Sequence, residues 1–337
     1  MDRLTTRPPS RNFVFKPRPL PLHHRMPKTL RIGMIGYKFM GKAHSNAWRQ
    51  VNRFFPDLPA QVELDTICGR NEKAVEAARK SLGWKRAETD WRAVVDDPSI
   101  NVIDINTPND THAEIAIAAA KSGKAILCEK PLARGVGEAS KMVAAVKTAK
   151  VVNMVCHNYR RIPAVALAKR MIEDGELGDR IYHYRARYAQ EWLANPEFPL
   201  VWRLQKKIAG SGTHGDIDAH IIDLGRYLVG ELKEVCGMME TFTKTRPLWE
   251  EGTAPPSAQK NGKKGKVTVD DAVSWVGRFK NGAVANLEAT RFAWGRKNNI
   301  TFEINGEKGS LFFDFEDMNR LKYFRAEDAQ HRRGFTD

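Results

Sequence analysis

Two charged clusters, far apart in the chain, could do chemistry on a hydroxyl group. The first is Glu129-Lys130-Pro131, which abruptly ends the apolar run Ala125-Ile126-Leu127-Cys128. A buried strand here would deliver both charged side chains at its carboxyl end, the edge at which open α/β sheets bind ligands. An ammonium at that edge can hold a developing alkoxide or an anionic substrate group, and Pro131 can fix the backbone so that Lys130 points into a cleft. The bond before Pro131 is of the kind in which cis peptides occur. The second cluster follows Gly210-Ser211-Gly212-Thr213-His214-Gly215. Ile217, Ile221, Leu224 and Leu228 recur at i, i+4, i+7 and i+11 as a buried helix stripe, and Asp216, His220, Asp223 and Tyr227 repeat that spacing one residue earlier as a polar row. Asp216 and His220 are thus expected as neighbours on one face, where the carboxylate orients the ring and favours the imidazolium formed when histidine takes a proton. A surface acid–histidine pair and a metal site from Asp216, Asp218, His220 and His214 are the competing readings. The i, i+2 spacing of Asp216 and Asp218 turns them to different sides of a helix, so no metal is expected.

The elements that would position these residues alternate. Leu30 to Gly36 reads as a strand, followed by Tyr37-Lys38-Phe39-Met40-Gly41 and a helix over Lys42 to Phe54. This is the strand, Gly-rich turn and helix order of a dinucleotide site, with backbone N–H groups and a helix N-terminus receiving the pyrophosphate. In the G-x-G-x-x-G frame Gly36 is first and Gly41 third, while Lys38 takes the second position. Either the turn shifts, or Lys38 points away, or it meets phosphate. Strands over Val62 to Cys68, Val102 to Asn106, Ala125 to Cys128 and Val151 to Cys156 alternate with helices over Glu72 to Ser81, His112 to Lys121 and Gly135 to Ala149, which implies right-handed βαβ units and a parallel sheet. After the second strand, where NAD enzymes often carry an acid, stands Arg70, which can meet a 2′-phosphate or stack on adenine. This leans the cofactor towards NADP. Thr107-Pro108-Asn109 should line the same edge and offer hydrogen bonds to the nicotinamide end, ahead of the helix beginning at His112.

Beyond Cys156 the pattern changes. A helix over Ile162 to Asp174 precedes strand-like runs over Arg180 to Tyr188, Glu234 to Thr243, Val267 to Phe279, Ala283 to Arg291, Asn299 to Ile304 and Ser310 to Phe315. Asn281-Gly282 and Asn305-Gly306 are hairpin signals, so the second half is an α+β domain with a mainly antiparallel sheet that can form the other wall of a substrate cleft.

Composition fits a soluble globular protein: of 337 residues, 42% are hydrophobic and 28% charged, and no apolar run reaches the roughly 20 residues of a membrane helix. The net charge of +15 is concentrated. Residues 1–28 hold seven Lys/Arg against one acid, and four more lysines fall between Lys260 and Lys266, without the aromatic interleaving of a nucleic-acid groove. Neither a nucleic-acid nor a membrane partner is expected. Residues 1–28 read as a disordered basic extension. No secretory segment opens the chain, and four scattered cysteines without a CxxC pair read as free thiols of a cytoplasmic protein.

The Gly36 to Gly41 turn, Thr107-Pro108-Asn109, Cys128-Glu129-Lys130-Pro131, Asn158-Tyr159-Arg160-Arg161 and Asp216 with His220, in this order, resemble the glucose-fructose oxidoreductase, inositol dehydrogenase and rhizopine catabolism (Gfo/Idh/MocA) oxidoreductases from about Leu30 onward. The resemblance implies an α/β fold: an N-terminal Rossmann domain over 29–156, then an α+β domain over 157–337 with a large open sheet that also mediates homo-oligomerisation. It implies NAD or NADP as cofactor and a sugar, inositol or related polyol as substrate. Gly36, Tyr37, Lys38, Phe39, Met40, Gly41, Arg70, Thr107, Pro108, Asn109, His112, Glu129 and Lys130 would contact the cofactor. Lys130, Tyr159, Arg160, Asp216 and His220 would contact substrate, with Lys130, Asp216 and His220 catalytic. Lys38 stands in place of a glycine of the family's turn, Asp218 stands where the family often has glycine, and family members usually continue further, so part of the second sheet is expected to be missing. A glycosidase-like use of a recycled bound cofactor, and a catalytically silent sugar-binding regulator, are the alternative functions.

Overall fold

The structure is a computed structural model that describes residues 29–248 and 263–336. The basic extension at 1–28 and part of the lysine-rich loop lie outside these residues. The first half builds a six-stranded, all-parallel sheet from β1 (Thr29–Ile35), β2 (Gln61–Cys68), β3 (Arg86–Glu88), β4 (Val102–Ile105), β5 (Ala125–Cys128) and β6 (Asn153–Val155), in the order β3-β2-β1-β4-β5-β6. The connecting helices are α1 (Phe39–Phe54), α2 (Glu72–Leu82), α3 (Trp91–Asp96), α4 (His112–Lys121) and α5 (Val136–Ala149). Strands buried on both faces need continuous apolar runs, and Ile32, Met34, Ile67, Ile103 and Ile105 are wholly buried. The chain reverses its winding between β1 and β4, which opens the crevice where this topology binds ligands.

The second half packs α6 (Pro163–Glu173), α7 (Lys206–Ala209) and α8 (Ala219–Leu228) with β7 (Ile181–Ala189), β8 (Leu232–Glu240), a small hairpin of β9 (Thr245–Pro247) and β10 (Lys264–Lys266), and then β11 (Ala272–Phe279), β12 (Val284–Thr290), β13 (Asn299–Gly306), β14 (Gly309–Asp314) and β15 (Leu321–Arg325). The large sheet runs β15-β14-β13-β7-β12-β11-β8 and is antiparallel except for the β7/β12 pair. Its inner face carries Tyr184, Phe302, Phe313, Trp275 and Leu287 against Ile217, Ile221, Leu224 and Leu228, the apolar stripe expected from the sequence. Each such side chain removed from water contributes about 1.5–3 kcal/mol. On the outer face Cys236, Met238 and Val276 stay exposed, and Val235 and Met239 are exposed on the other side of the edge strand β8.

Several boundaries differ from the sequence reading. Helix α1 begins at Phe39 rather than Lys42, so Gly41 lies inside its first turn. The run Val267 to Phe279 is not one strand. Residues up to Asp271 form a connection in which Val267, Val269 and Asp271 are buried, and the strand begins at Ala272. In this connection the Asp270 carboxylate accepts from the backbone N–H groups of Gly212 (2.7 Å) and His214 (2.7 Å), supporting the turn that leads into α8.

Candidate active site

Four turns leave the carboxyl edge of the parallel sheet side by side. The Gly36 N–H donates to Cys68 O, Asn106 N–H to Ile35 O, Glu129 N–H to Ile105 O and Cys156 N–H to Cys128 O, each at 2.8–2.9 Å. Gly36 has φ +106°, and a Cβ on Gly41 would lie 2.2 Å from the Gly36 carbonyl oxygen, so this turn closes only with glycines at these two positions. Helix α1 starts directly on it with no side-chain cap and no acid in its first turn, leaving first-turn N–H groups available to an anion. This cradle fits a dinucleotide pyrophosphate. Tyr37 packs across Gly69, while Lys38 and Phe39 are exposed at the helix entrance. Arg70 is exposed beyond β2.

The Thr107 turn is held from behind. His112 is wholly buried, with Nδ1 3.0 Å from Pro131 O and Nε2 2.9 Å from Thr107 O. Its ring therefore ties the Thr107 turn to the Lys130–Pro131 turn instead of facing the cleft as a cofactor contact. Asn109 is also turned inward: its Nδ2 donates to Ala209 O at 2.8 Å and pins α7 to the Rossmann half. The Lys130–Pro131 peptide is cis.

Lys130 reaches across to the second half. Its Nζ donates to Asp216 O at 2.7 Å and to Asp216 Oδ1 at 3.2 Å, which uses two of the three ammonium protons and leaves the third for a ligand. The other carboxylate oxygen of Asp216 lies 3.4 Å from Nη1 of Arg291, a side chain with no exposed surface. Burial alone would raise the Asp216 pKa, but the charges of Lys130, Arg291 and Arg203 hold it far below the ordinary carboxylate range.

The expected Asp216–His220 pair does not form. Residues His214–Asp218 are π-helical and still hold one i, i+4 pair, but Lys130 and Arg291 draw the Asp216 carboxylate away from His220. Asp216 turns towards Lys130. Asp218, fully buried, accepts from His214 Nδ1 (2.8 Å) and Trp275 Nε1 (3.0 Å). His220 instead sits among rings, with Tyr159 at 4.5 Å, Tyr188 at 5.9 Å and His157 edge-on at 6.3 Å. It makes no hydrogen bond among the described residues. Burial, then the charge of Lys130 and then His157, push its pKa well below the ordinary 6.5. Arg160 does not aim its guanidinium into the cleft either. Its Nε donates to Asp223 at 2.7 Å and its head lies over Tyr227, so the polar row of α8 is used to clamp the start of the second half.

Sequence reading missed four contributors. Arg291 was read only as the end of a strand. His157 and Tyr188 line the His220 pocket, with the Tyr188 hydroxyl 3.1 Å from that of Tyr159 and donating to Asn298 Oδ1 at 2.6 Å. His44 lay within a helix. The one signal for this last cluster was Asp104, an acid inside the apolar run Val102 to Ile105. Among the described residues, His44, Glu129 and Cys156 are also the one group of three or more His, Cys, Asp or Glu side chains whose potential ligand atoms lie within 4.8 Å of one another.

Arg291→Met should cost about 3–5 kcal/mol of stability, because it leaves Asp216 and the Asp270 carbonyl facing an apolar side chain. Chemical denaturation of the purified variant measures this. A loss under about 1 kcal/mol would mean that Asp216 needs no buried partner.

Comparison with known proteins agrees with this geometry. Residues 30–157 match the model of the oxidoreductase family, NAD-binding Rossmann fold, and residues 165–312 match the GFO/IDH/MocA C-terminal domain. The chain belongs to the Gfo/Idh/MocA family of oxidoreductases. It is 50% identical over 311 residues to the levoglucosan dehydrogenase of Pseudarthrobacter phenanthrenivorans, covering 91% of this chain and 79% of that one. With the scyllo-inositol 2-dehydrogenase (NAD(+)) of Bacillus subtilis it shares 31% over 289 residues, 85% and 74% of the two chains. A solved levoglucosan dehydrogenase in complex with NADH and levoglucosan superposes with a TM-score of 0.86 at 48% identity, again over 91% and 79%. The chain is therefore an NAD-dependent oxidoreductase acting on CH–OH groups of sugars or related polyols.

Proposed function

We propose that this family member oxidises a secondary hydroxyl of levoglucosan or a closely similar sugar ring, with Lys130, Asp216 and His220 as its catalytic residues and NAD as its cofactor. One observation carries the reading: an anchored ammonium and an unpartnered, buried imidazole meet at the carboxyl edge of a sheet whose Gly36–Gly41 turn accepts a pyrophosphate. When bound, the nicotinamide supplies the hydride acceptor. The remaining ammonium proton of Lys130 donates to the substrate oxygen and stabilises the negative charge that develops there. Asp216 fixes the direction of that ammonium, and Arg291 fixes Asp216. His220, kept neutral by burial and by its cationic neighbour, takes the hydroxyl proton. Tyr159 packs its ring on His220 and holds its hydroxyl 3.1 Å from that of Tyr188, which supports a role in shaping the substrate side of the site.

NAD is favoured over the NADP suggested by Arg70. The family is described as NAD-binding, the similar dehydrogenase was solved with NADH, and Arg70 stands exposed beside Asn71, whose side chain is committed to capping α2 through Ala74 N–H. The expected kcat/KM with NAD+ exceeds that with NADP+ at least about ten-fold, a difference of about 1.4 kcal/mol. Steady-state rates with both cofactors check it, and a preference for NADP+ would restore Arg70 as a phosphate ligand. Met238 and Val276, exposed on the outer face of the large sheet, with Val235 and Met239 exposed on the other side of its edge strand β8, support self-association through that sheet. No helix of the described residues is long and apolar enough to cross a membrane, and with the scattered free thiols this supports a cytoplasmic protein.

The test is NADH formation by purified protein with levoglucosan, inositols and related sugars. Turnover confined to polyols outside this group would refute the substrate assignment. Release of a free sugar with no net NADH would mark the recycled-cofactor alternative, and binding without either product the regulatory one.

A further inference from the structure

A cluster of buried polar groups lies beneath the cofactor edge and is not used by the three catalytic residues. Asp104 stands mid-sheet on β4, opposite Met34 and Leu127, and is wholly buried. Its carboxylate accepts from Trp48 Nε1 (2.7 Å), from Asn106 Nδ2 (2.8 Å) and from His44 Nδ1, 3.0 Å from both oxygens. The other ring nitrogen of His44 lies 3.1 Å from Oε1 of Glu129, which is itself 7% exposed. Carboxylates only accept, so a ring with a carboxylate on each nitrogen must carry a proton on each. The cation of this site is thus the His44 ring itself, held between Asp104 and Glu129. Burial alone would lower the His44 pKa, but hydrogen bonds to Asp104, Cys156 and Glu129 and the Asp104 charge raise it to about 12.

His44 belongs to α1, the helix that starts on the Gly36–Gly41 turn, whereas Glu129 immediately precedes Lys130. The His44 side chain is therefore the crosslink between the phosphate cradle and the Lys130 turn. It occupies one Glu129 oxygen, and Oε2 has no hydrogen-bond partner among the described residues.

We propose that His44 is a positioning residue for the nicotinamide half of the cofactor: by bridging Asp104 and Glu129 it fixes the Glu129 carboxylate so that its remaining oxygen accepts hydroxyls of the nicotinamide-side ribose. This rests on the cofactor assignment above. A His44 that acted only as filler in α1 would affect both halves of the dinucleotide alike, whereas a positioning His44 acts on the nicotinamide side alone.

The experiment compares the binding of NADH and of ADP, which lacks the nicotinamide riboside, to wild type, His44→Gln and Glu129→Gln by calorimetry. Glutamine can donate to one carboxylate but cannot bridge two as a cation. The expected result is NADH binding weakened about ten-fold or more in His44→Gln, as for loss of a hydrogen bond to a charged group, with ADP affinity at the wild-type level. The double variant should lose little beyond Glu129→Gln alone, since the two residues act as a unit. Equal losses for ADP and NADH, or additive losses in the double variant, would overturn the proposal. Failure of the cofactor assignment would show separately, as wild type that binds neither ligand. If His44→Gln does not fold, nitrogen NMR of the wild-type histidines decides: the His44 ring should be doubly protonated at neutral pH and respond to NADH but not to ADP. A singly protonated ring, or one indifferent to NADH, would overturn the proposal.

Discussion

Lys130→Met is expected to lower kcat about 10²- to 10³-fold, the range found when a preorganised donor to a developing oxyanion is removed, while leaving NADH affinity close to that of the wild type. The asymmetry follows from where the ammonium is held. Both of its protein bonds go to Asp216 in the second half of the chain, at 2.7 and 3.2 Å, and neither goes to the Gly36–Gly41 turn or to α1. Methionine keeps the length of the side chain, so the packing of the cis Lys130–Pro131 turn against His112 persists. Arg291 still compensates the Asp216 charge. Rapid-mixing measurement of turnover, beside fluorescence titration with NADH, reads the two effects separately. Equal losses in both would move Lys130 from catalysis to folding or cofactor docking.

His220→Asn should lower kcat for alcohol oxidation about 10²- to 10⁴-fold, the usual contribution of a positioned general base. The pH dependence follows from the direction of its pKa shift. A base must be unprotonated to act, and burial, Lys130 and His157 hold His220 unprotonated down to well below 6.5. Oxidation by the wild type should therefore be level through neutral pH and fall only in acid. Reduction of the ketone needs the protonated ring and should rise as the pH falls. Both limbs should vanish in His220→Asn. If the acid limb of kcat/KM survived in that variant, another group would be the base, and His157, whose Nδ1 lies 3.7 Å from Asp223, would be the first to examine.

The legible parts of this protein are those in which sequence neighbours share a fate. Short apolar runs alternating with amphipathic helices dictated the parallel half, because each βαβ unit buries its own faces locally. Three-residue β3, Arg86–Glu88, was missed because it is polar and gains its place only by pairing with β2. The strand β15, with Lys322 and Arg325, was missed for the same reason. In the second half the runs were visible, but their order was not: β7 lies at the centre, parallel to β12 and antiparallel to β13, although about a hundred residues separate it from both.

The sequence by itself determined the two-part α/β architecture and the glycine turn, since periodicity and backbone requirements are local properties, and it named Lys130, Asp216 and His220 as candidates. The partners of those three residues were decided by tertiary structure alone. Helical spacing assigned Asp216 to His220, yet the approach of Lys130 and Arg291 from distant segments took it elsewhere. A charge buried away from water binds whichever opposite charge the fold brings within reach, and that pairing is written in three dimensions, not in spacing. Glu129-Lys130-Pro131 shows both sides. Its chemistry could be read from three letters, but that Glu129 is held by His44 and Lys130 by Asp216 required the folded chain.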